Sequence, residues 1–241
     1  MWIVPDWPAP ANVKAIATTR KGGGSAGPYQ GLNLGNHVGD QPEVVRQNRL
    51  WLQQQLGLPE APVWLNQTHS TEVVSLEQPQ STAIDADGSY TAQSRLPCVV
   101  MTADCLPVIL CDRQGKQVAA VHAGWRGLVD GIIEQAVAKF TVPGSEIMAW
   151  LGPAIGPQAF EVGGEVRDQF LAHDPAAAEA FLPNGEKWLA DLYLLARQRL
   201  ARVAVDDVFG GHACTYSDAE QFYSYRRDGV TGRQATLIWL E

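Results

Sequence analysis

The amino-acid sequence predicts an α+β fold built on a mixed β-sheet. Three observations carry this. Strand-like and helix-like stretches interleave without the strict βαβ alternation of a doubly wound protein. The stretch from Cys98 to Phe140 reads strand, turn, strand, helix, and its two strands are apolar on both faces, as in a sheet covered on both sides. The 241 residues, 46% of them hydrophobic, suffice for one large domain spanning 1–241 with a sizeable core.

Taken in order, Val13–Thr19 reads as the first strand. Arg20–Ser25 is a basic, glycine-rich loop that lacks the spacing of a nucleotide-binding loop, so a surface loop is expected. Leu32–Gly35 and His37–Asp40 are polar and rich in turn residues. Asp40 is expected to open a helix, with Glu43 three residues on in a capping-box-like pattern and Pro42 in the first turn. Val45, Leu52 and Leu56 mark its apolar face, Gly57 ends it, and Arg46 and Arg49 ride on it, either solvated or turned to an anionic ligand. Pro62–Leu65 is the next strand, with His69 just beyond its end, and Glu72–Leu76 another. Ala83–Gly88 is a turn whose Asp85 and Asp87 offer oxygen ligands but lack the longer calcium-loop pattern.

The central unit is the most informative. Leu106–Asp112 and Gln117–Ala123 flank Gln114-Gly115, where glycine supplies the positive φ of a tight turn. With those two residues as the loop, Pro107 faces His122 and Cys105 faces Gly124. Cys105 then shares a face with His122, close enough for a metal ion to sit between sulfur and imidazole. A slip of one residue would separate them. Ile109, Cys111, Val118 and Ala120 fall on the Cys105 face; Leu106, Val108, Leu110, Ala119 and Val121 line the other. Gly124 and Gly127 permit close backbone approach. Leu128, Val129, Ile132, Ile133, Ala136, Val137 and Phe140 recur at helical spacing. Arg126, in the first turn of that helix, is either an anion ligand or a solvated side chain.

Ile147–Leu151 is a strand, Gly152–Pro157 a tight loop and Phe160–Val162 a short strand. Glu165–Ala172 and Ala176–Phe181 are helical, Asn184-Gly185 turns the chain, and Trp188–Val203 is a long helix. Val208–Gly210, Tyr223–Arg226 and Ala235–Leu240 close the chain as strands, the last two flanking a hairpin loop, Arg227–Arg233.

A net charge of −8 argues against general nucleic-acid binding, and no apolar run approaches the ~18 residues of a membrane span. The N-terminus lacks a basic segment followed by an apolar core, so no secretory signal is expected. Four irregularly spaced cysteines are not a disulfide framework; a cytoplasmic protein with reduced thiols is expected. Cys98 and Cys111 read as small core residues, and Cys214 with His212 as a weaker Cys–His pair.

Six segments together resemble one family: Leu32–Gly35, Asn66–His69, Met101–Pro107, His122–Gly127, Leu151–Pro157 and Phe222–Arg227. The chain is similar nearly end to end to the laccase-domain (YfiH-type) family, whose members are described as polyphenol oxidase, purine nucleoside phosphorylase or peptidoglycan editing factor. The resemblance implies a single-domain mixed β-sheet sandwich with flanking helices, similar in architecture to deamidating toxins that use a Cys–His pair. It also implies zinc on His69, Cys105 and His122, which would be the catalytic residues, and phosphorolysis of adenosine, inosine and methylthioadenosine with adenosine deamination. Purine nucleoside and phosphate would be the ligands of a monomer or homodimer. Asn33 and Gln67, within the shared segments, join Arg49 and Arg126 as substrate-binding candidates, the two arginines for phosphate.

Three protein ligands leave a position open, as in catalytic zinc sites. Two other chemistries fit the same residues. Cys105 as nucleophile with His122 as base would make an amidase that edits peptidoglycan precursors. Copper is the alternative ion, since copper(II) outcompetes zinc for nitrogen and sulfur. A multicopper oxidase needs more imidazoles than His37, His173 and His212 add. Trp125, beside His122, is a candidate to stack on a purine or to plug the core.

Overall fold

In a computed structural model the chain forms two packed β-sheets with helices on both outer faces; every residue except Met1, Pro59 and Ser81 is described. The first sheet is antiparallel and runs Trp2–Ile3, Val13–Thr18, Gln234–Leu240, Cys98–Thr102. The second has six strands in the order Asp207–Gly210, Ile147–Leu151, Leu106–Asp112, Val118–Ala123, Gly88–Thr91, Val73–Ser75. Its outermost pairs are parallel and the rest antiparallel, so the sheet is mixed. A three-stranded sheet and the pair Leu65–Asn66 with Ile84–Asp85 lie beside them.

The apolar pattern of the central hairpin explains the layering. Ile109, Cys111, Val118 and Ala120 meet Ala15, Ala17, Val100 and Ile238 between the two sheets. Leu106, Val108, Leu110, Ala119 and Val121 face the other way, onto Leu128, Ile132, Ile133, Leu195 and Leu200 of the helical layer. The outer face of the first sheet, through Ile16, Val99, Met101 and Leu237, is covered by Leu32, Leu34 and Leu52. Burying each such Leu, Ile or Val is worth about 1.5–3 kcal/mol. These strands are apolar on both sides because a layer covers each side. No helix among the described residues is long and apolar enough to cross a membrane.

The hairpin register is the expected one, with Pro107 opposite His122 and Leu106 opposite Ala123. The loop is longer than expected. Its four residues, Arg113–Lys116, are held by the Asp112 carboxylate, which accepts from Lys116 N at 2.7 Å and Gln117 N at 3.0 Å. A four-residue loop on the same centre keeps the same pairing.

Five other expectations are corrected. The helix after His122 is two short ones, Trp125–Asp130 and Ile132–Val137, because Gly131 between them takes φ 100°. The helix Pro42–Leu56 has Gln41 at its start, since Asp40 turns away to bond Ser25 Oγ and Asn33. Regular pairing after Pro62 is confined to Leu65–Asn66, with Val63 making one isolated bridge to Cys98. Lys187–Ala190 is a strand, and the helix there starts at Leu192, where Asp191 accepts from the N–H groups of Tyr193 and Leu194. Tyr223–Arg226 is not a strand. Ser224 Oγ accepts from Arg227 N and starts a short helix, Tyr225–Asp228. Gln234–Leu240 pairs with Val13–Thr18 and Cys98–Thr102 instead of folding back on it.

Candidate metal centre

His122 lies one residue from the end of its strand, at the open end of the central hairpin. Asp87, fully buried just before the strand Gly88–Thr91, sets its orientation. The Asp87 carbonyl accepts from His122 N at 2.7 Å, and its carboxylate lies 2.7 Å from His122 Nδ1. The same carboxylate accepts from the backbone N–H groups of Thr68, His69 and Ser70 at 3.0, 3.0 and 2.6 Å, and from Ser70 Oγ at 2.8 Å. Burial raises its pKa, but the bonds from His122 and Ser70 outweigh that and hold it well below the usual carboxylate range. An ionised Asp87 holds a proton on Nδ1 of His122, so Nε2 is the nitrogen that would offer a lone pair to a metal once it gives up its own proton. It also pins the loop that carries His69.

His69 is held in the left-handed region, φ 62°, which a non-glycine residue occupies at a cost of about 1–3 kcal/mol. Cys105 follows another such residue, Asp104, at φ 93°. The Asp104 carboxylate is anchored by Thr215 Oγ1 at 2.6 Å and Arg226 N at 2.7 Å, so the Thr102–Cys105 turn is tied to the carboxy-terminal segment.

One ligand atom from each of His69, Cys105 and His122 comes within 4.8 Å of the other two, with Cys105 Sγ 3.9 Å from His69 Nε2. The imidazole rings sit edge to face, 4.8 Å between centroids. Tetrahedral zinc wants such atoms roughly 3.3–3.6 Å apart, so about an ångström of closure would suffice. Gly124 makes room: a Cβ there would lie 3.0 Å from His69 Cδ2 and 3.1 Å from Cys105 Sγ. A soft sulfur, two imidazoles and a carboxylate behind one imidazole make a donor set suited to zinc or copper. Among the described residues no other group of three potential ligands gathers in this way.

Burial pushes the Cys105 thiol up, but the two imidazoles outweigh it and bring it down to about 6. Burial likewise pulls His122 down, and the Cys105 thiolate and Asp87 reverse it to about 9. Without metal these opposed shifts favour a thiolate beside an imidazolium. Cys98 and Cys111, among apolar neighbours, are pushed up to about 12 and are core residues. The Cys214 sulfur is hydrogen-bonded by Gly156 N and Ser217 Oγ, away from this centre.

These three side chains open into a cavity of about 340 Å³, walled also by His37, Gln67, Met101, Thr102, Tyr225 and Arg233. Of the expected substrate residues, only Gln67 lies in this wall, and its amide is spent on the backbone of Met101, at 2.8 and 2.7 Å. Arg49 donates twice to the Leu34 carbonyl and stacks 3.9 Å over the Trp64 ring. Asn33 is fully buried, and its Oδ1 accepts from Gly35 N and Arg233 N. Arg126 stacks on Trp125, which packs against the helical core outside the cavity wall. Asp87, a turn carboxylate by its sequence, orients His122, and Tyr225 and Arg233, expected in a strand and a hairpin loop, line the cavity. The available signal was a buried-looking Asp in a turn between two short strands.

A family model described as multi-copper polyphenol oxidoreductase laccase matches residues 14–241. The chain is 54% identical over 238 residues to a protein of Escherichia coli named purine nucleoside phosphorylase YfiH, covering 99% of this chain and 98% of that one. It is 52% identical over 242 residues to a purine nucleoside phosphorylase of Pseudomonas aeruginosa, covering 100% and 98%. The crystal structure of a Neisseria meningitidis protein of the DUF152 family superposes with a TM-score of 0.96 at 54% identity, covering 100% of this chain and 99% of that one.

Proposed function

This chain belongs to the laccase-like YfiH family, and on that premise we propose that it is a metal-dependent purine nucleoside phosphorylase. The observation that carries the proposal is the His69–Cys105–His122 cluster, oriented by Asp87, in the wall of a cavity of small-ligand size. Adenosine, inosine and methylthioadenosine are the substrates we assign, with adenosine deamination as a second activity. A phosphate oxygen forms the bond to ribose C1′ as the bond from C1′ to the base nitrogen breaks. The electron pair of that bond leaves with the base, which takes up a proton. A divalent ion, zinc by preference and copper as the alternative, would supply Lewis-acid polarisation. His69, Cys105 and His122 would hold it. Asp87 keeps the His122 proton on Nδ1, away from the cavity. Tyr225, 60% exposed at the cavity wall with Arg233 5.9 Å from its ring centre, offers an aromatic ring for a purine base. The cytoplasm is the compartment we assign, because it keeps Cys105 reduced.

The test is to incubate metal-analysed protein with inosine and phosphate and to quantify hypoxanthine and ribose 1-phosphate. Equal amounts of both, and no base without phosphate, are expected. Base release with free ribose would make the protein a hydrolase and defeat the proposal.

A second reading rests on a specific alignment. Cys105, His122 and Asp87 stand in the order nucleophile, base, orienting carboxylate, which is also the order of a cysteine hydrolase such as an amidase acting on peptidoglycan precursors. Bound metal would occupy the thiolate and suppress that chemistry. Full activity after chelation, abolished by iodoacetamide, would select this reading.

A further inference from the structure

The cavity lined by His69, Cys105 and His122 is also lined by a cation that the protein's own carboxylates leave unpaired among the described residues. Arg233 donates Nη1 to the carbonyls of Thr231 and Gly232, at 3.1 and 3.0 Å, lies 5.9 Å from the centre of the Tyr225 ring, and makes no ion pair with a carboxylate among the described residues. Its neighbours are committed. Arg49 is spent on Leu34 and Trp64, Arg226 on the Glu161 carbonyl and the Phe160 ring, and Arg227 on Asp228 and three carbonyls.

The backbone around Arg233 holds it in place. Asn33 Oδ1 accepts from Arg233 N at 2.9 Å, and Leu34 N donates to the Arg233 carbonyl at 3.1 Å. Gly35 clears a channel for the side chain: a Cβ at position 35 would lie 2.8 Å from Arg233 Cγ and 3.1 Å from its Cβ. The segment Leu32–Gly35 thus acts as a sleeve for one arginine. Two residues further on, His37 reaches the same cavity wall. Burial, then the charges of Arg233, Arg49 and His122, lower its pKa, so its imidazole is neutral at pH 7 and can donate one hydrogen bond.

We propose that Arg233 and His37 bind the phosphate co-substrate in the cavity that His69, Cys105 and His122 line, and that Leu32–Gly35 is the element that aims Arg233. A guanidinium fits two oxygens of a tetrahedral oxyanion at once, whereas an ammonium acts only as a point charge. This assignment rests on the phosphorylase reading for the identity of the anion, though not for the existence of an anion site.

The test uses metal-loaded protein and inorganic phosphate, with two readouts: the phosphate KM of inosine phosphorolysis, and direct phosphate binding followed by 31P line broadening. Arg233→Ala should raise the phosphate KM and weaken direct binding by about tenfold or more, the loss expected for a charge-assisted hydrogen bond. Arg233→Lys should recover part of it, and His37→Ala should show a smaller loss. Metal content and inosine KM should not move. Gly35→Ala, which touches neither metal nor nucleoside, should reproduce the Arg233 phenotype by displacing the side chain. Unchanged phosphate binding in Arg233→Ala protein with full metal content would overturn the assignment. Arg233-dependent phosphate binding in a protein that performs no phosphorolysis would leave the anion site standing and remove the phosphorylase reading.

Discussion

The two ends of the central hairpin share the same strands and are finished in different ways. At the turn end, buried Asp112 accepts from Lys116 N and Gln117 N, four and five residues away, while its Oδ2 finds no partner among the described residues. At the open end, buried Asp87 accepts from His122 on one side and from the Thr68–Ser70 loop on the other, 35 and 17–19 residues distant. A carboxylate satisfied locally shapes a loop; one satisfied at long range brings a site together. The contrast predicts that perturbing the two ends will have effects of different kind as well as size.

The largest effect is expected from Asp87→Asn. An amide places an NH2 against donors, so stability should fall by roughly 3 kcal/mol in a denaturant melt. Metal affinity should drop about 10–100-fold in a chelator competition. Unchanged affinity would erase the distinction between the two ends. Gly124→Ala comes next: its methyl group presses on His69 and Cys105, and overpacking should weaken metal binding by about 1–3 kcal/mol while the fold persists.

A third measurement sharpens the contrast among cysteines. In metal-stripped protein the depressed Cys105 pKa stabilises the fold above the thiol's ordinary value, and that contribution is lost as pH falls through about 6. The raised His122 pKa contributes below the ordinary imidazole value and is lost as pH rises through about 9. The thiolate–imidazolium pair therefore spans about pH 6 to 9. Iodoacetamide should alkylate Cys105 throughout that window and slow only below it, while Cys98 and Cys111 stay inert; a rate that falls steadily below pH 8 would contradict this. Bound zinc should protect Cys105. The smallest effect is expected from Asp112→Asn, about 1 kcal/mol of stability with metal content unchanged.

Much of this was legible in the sequence, and the particulars show why. The register that sets Pro107 opposite His122 followed from one Gly in the turn and the two-residue period of strands, although the loop proved two residues longer. The two-sided burial of the hairpin followed from its continuous apolar run. The misread elements were those where a single side chain overrules a pattern. Asp191 starts a helix after a strand that helical spacing had absorbed. Ser224 turns an aromatic, strand-like run into a helical turn. Gly131 breaks a helix whose apolar spacing continues undisturbed.

The sequence by itself determined the α+β class, the alternation that places Cys105 and His122 on one face, and a shared pattern that pointed to His69. Those depend on residue type and short-range period, which a linear string records. Only the tertiary structure decided that Asp87 holds the histidines, that Arg49 is spent internally, and that Arg233 stands in the cavity wall with no carboxylate partner among the described residues. Each of these is a question of which partner lies within hydrogen-bond reach. That is settled by loops packing together across as many as 200 residues of chain, with the geometry to satisfy one polar group and leave another open.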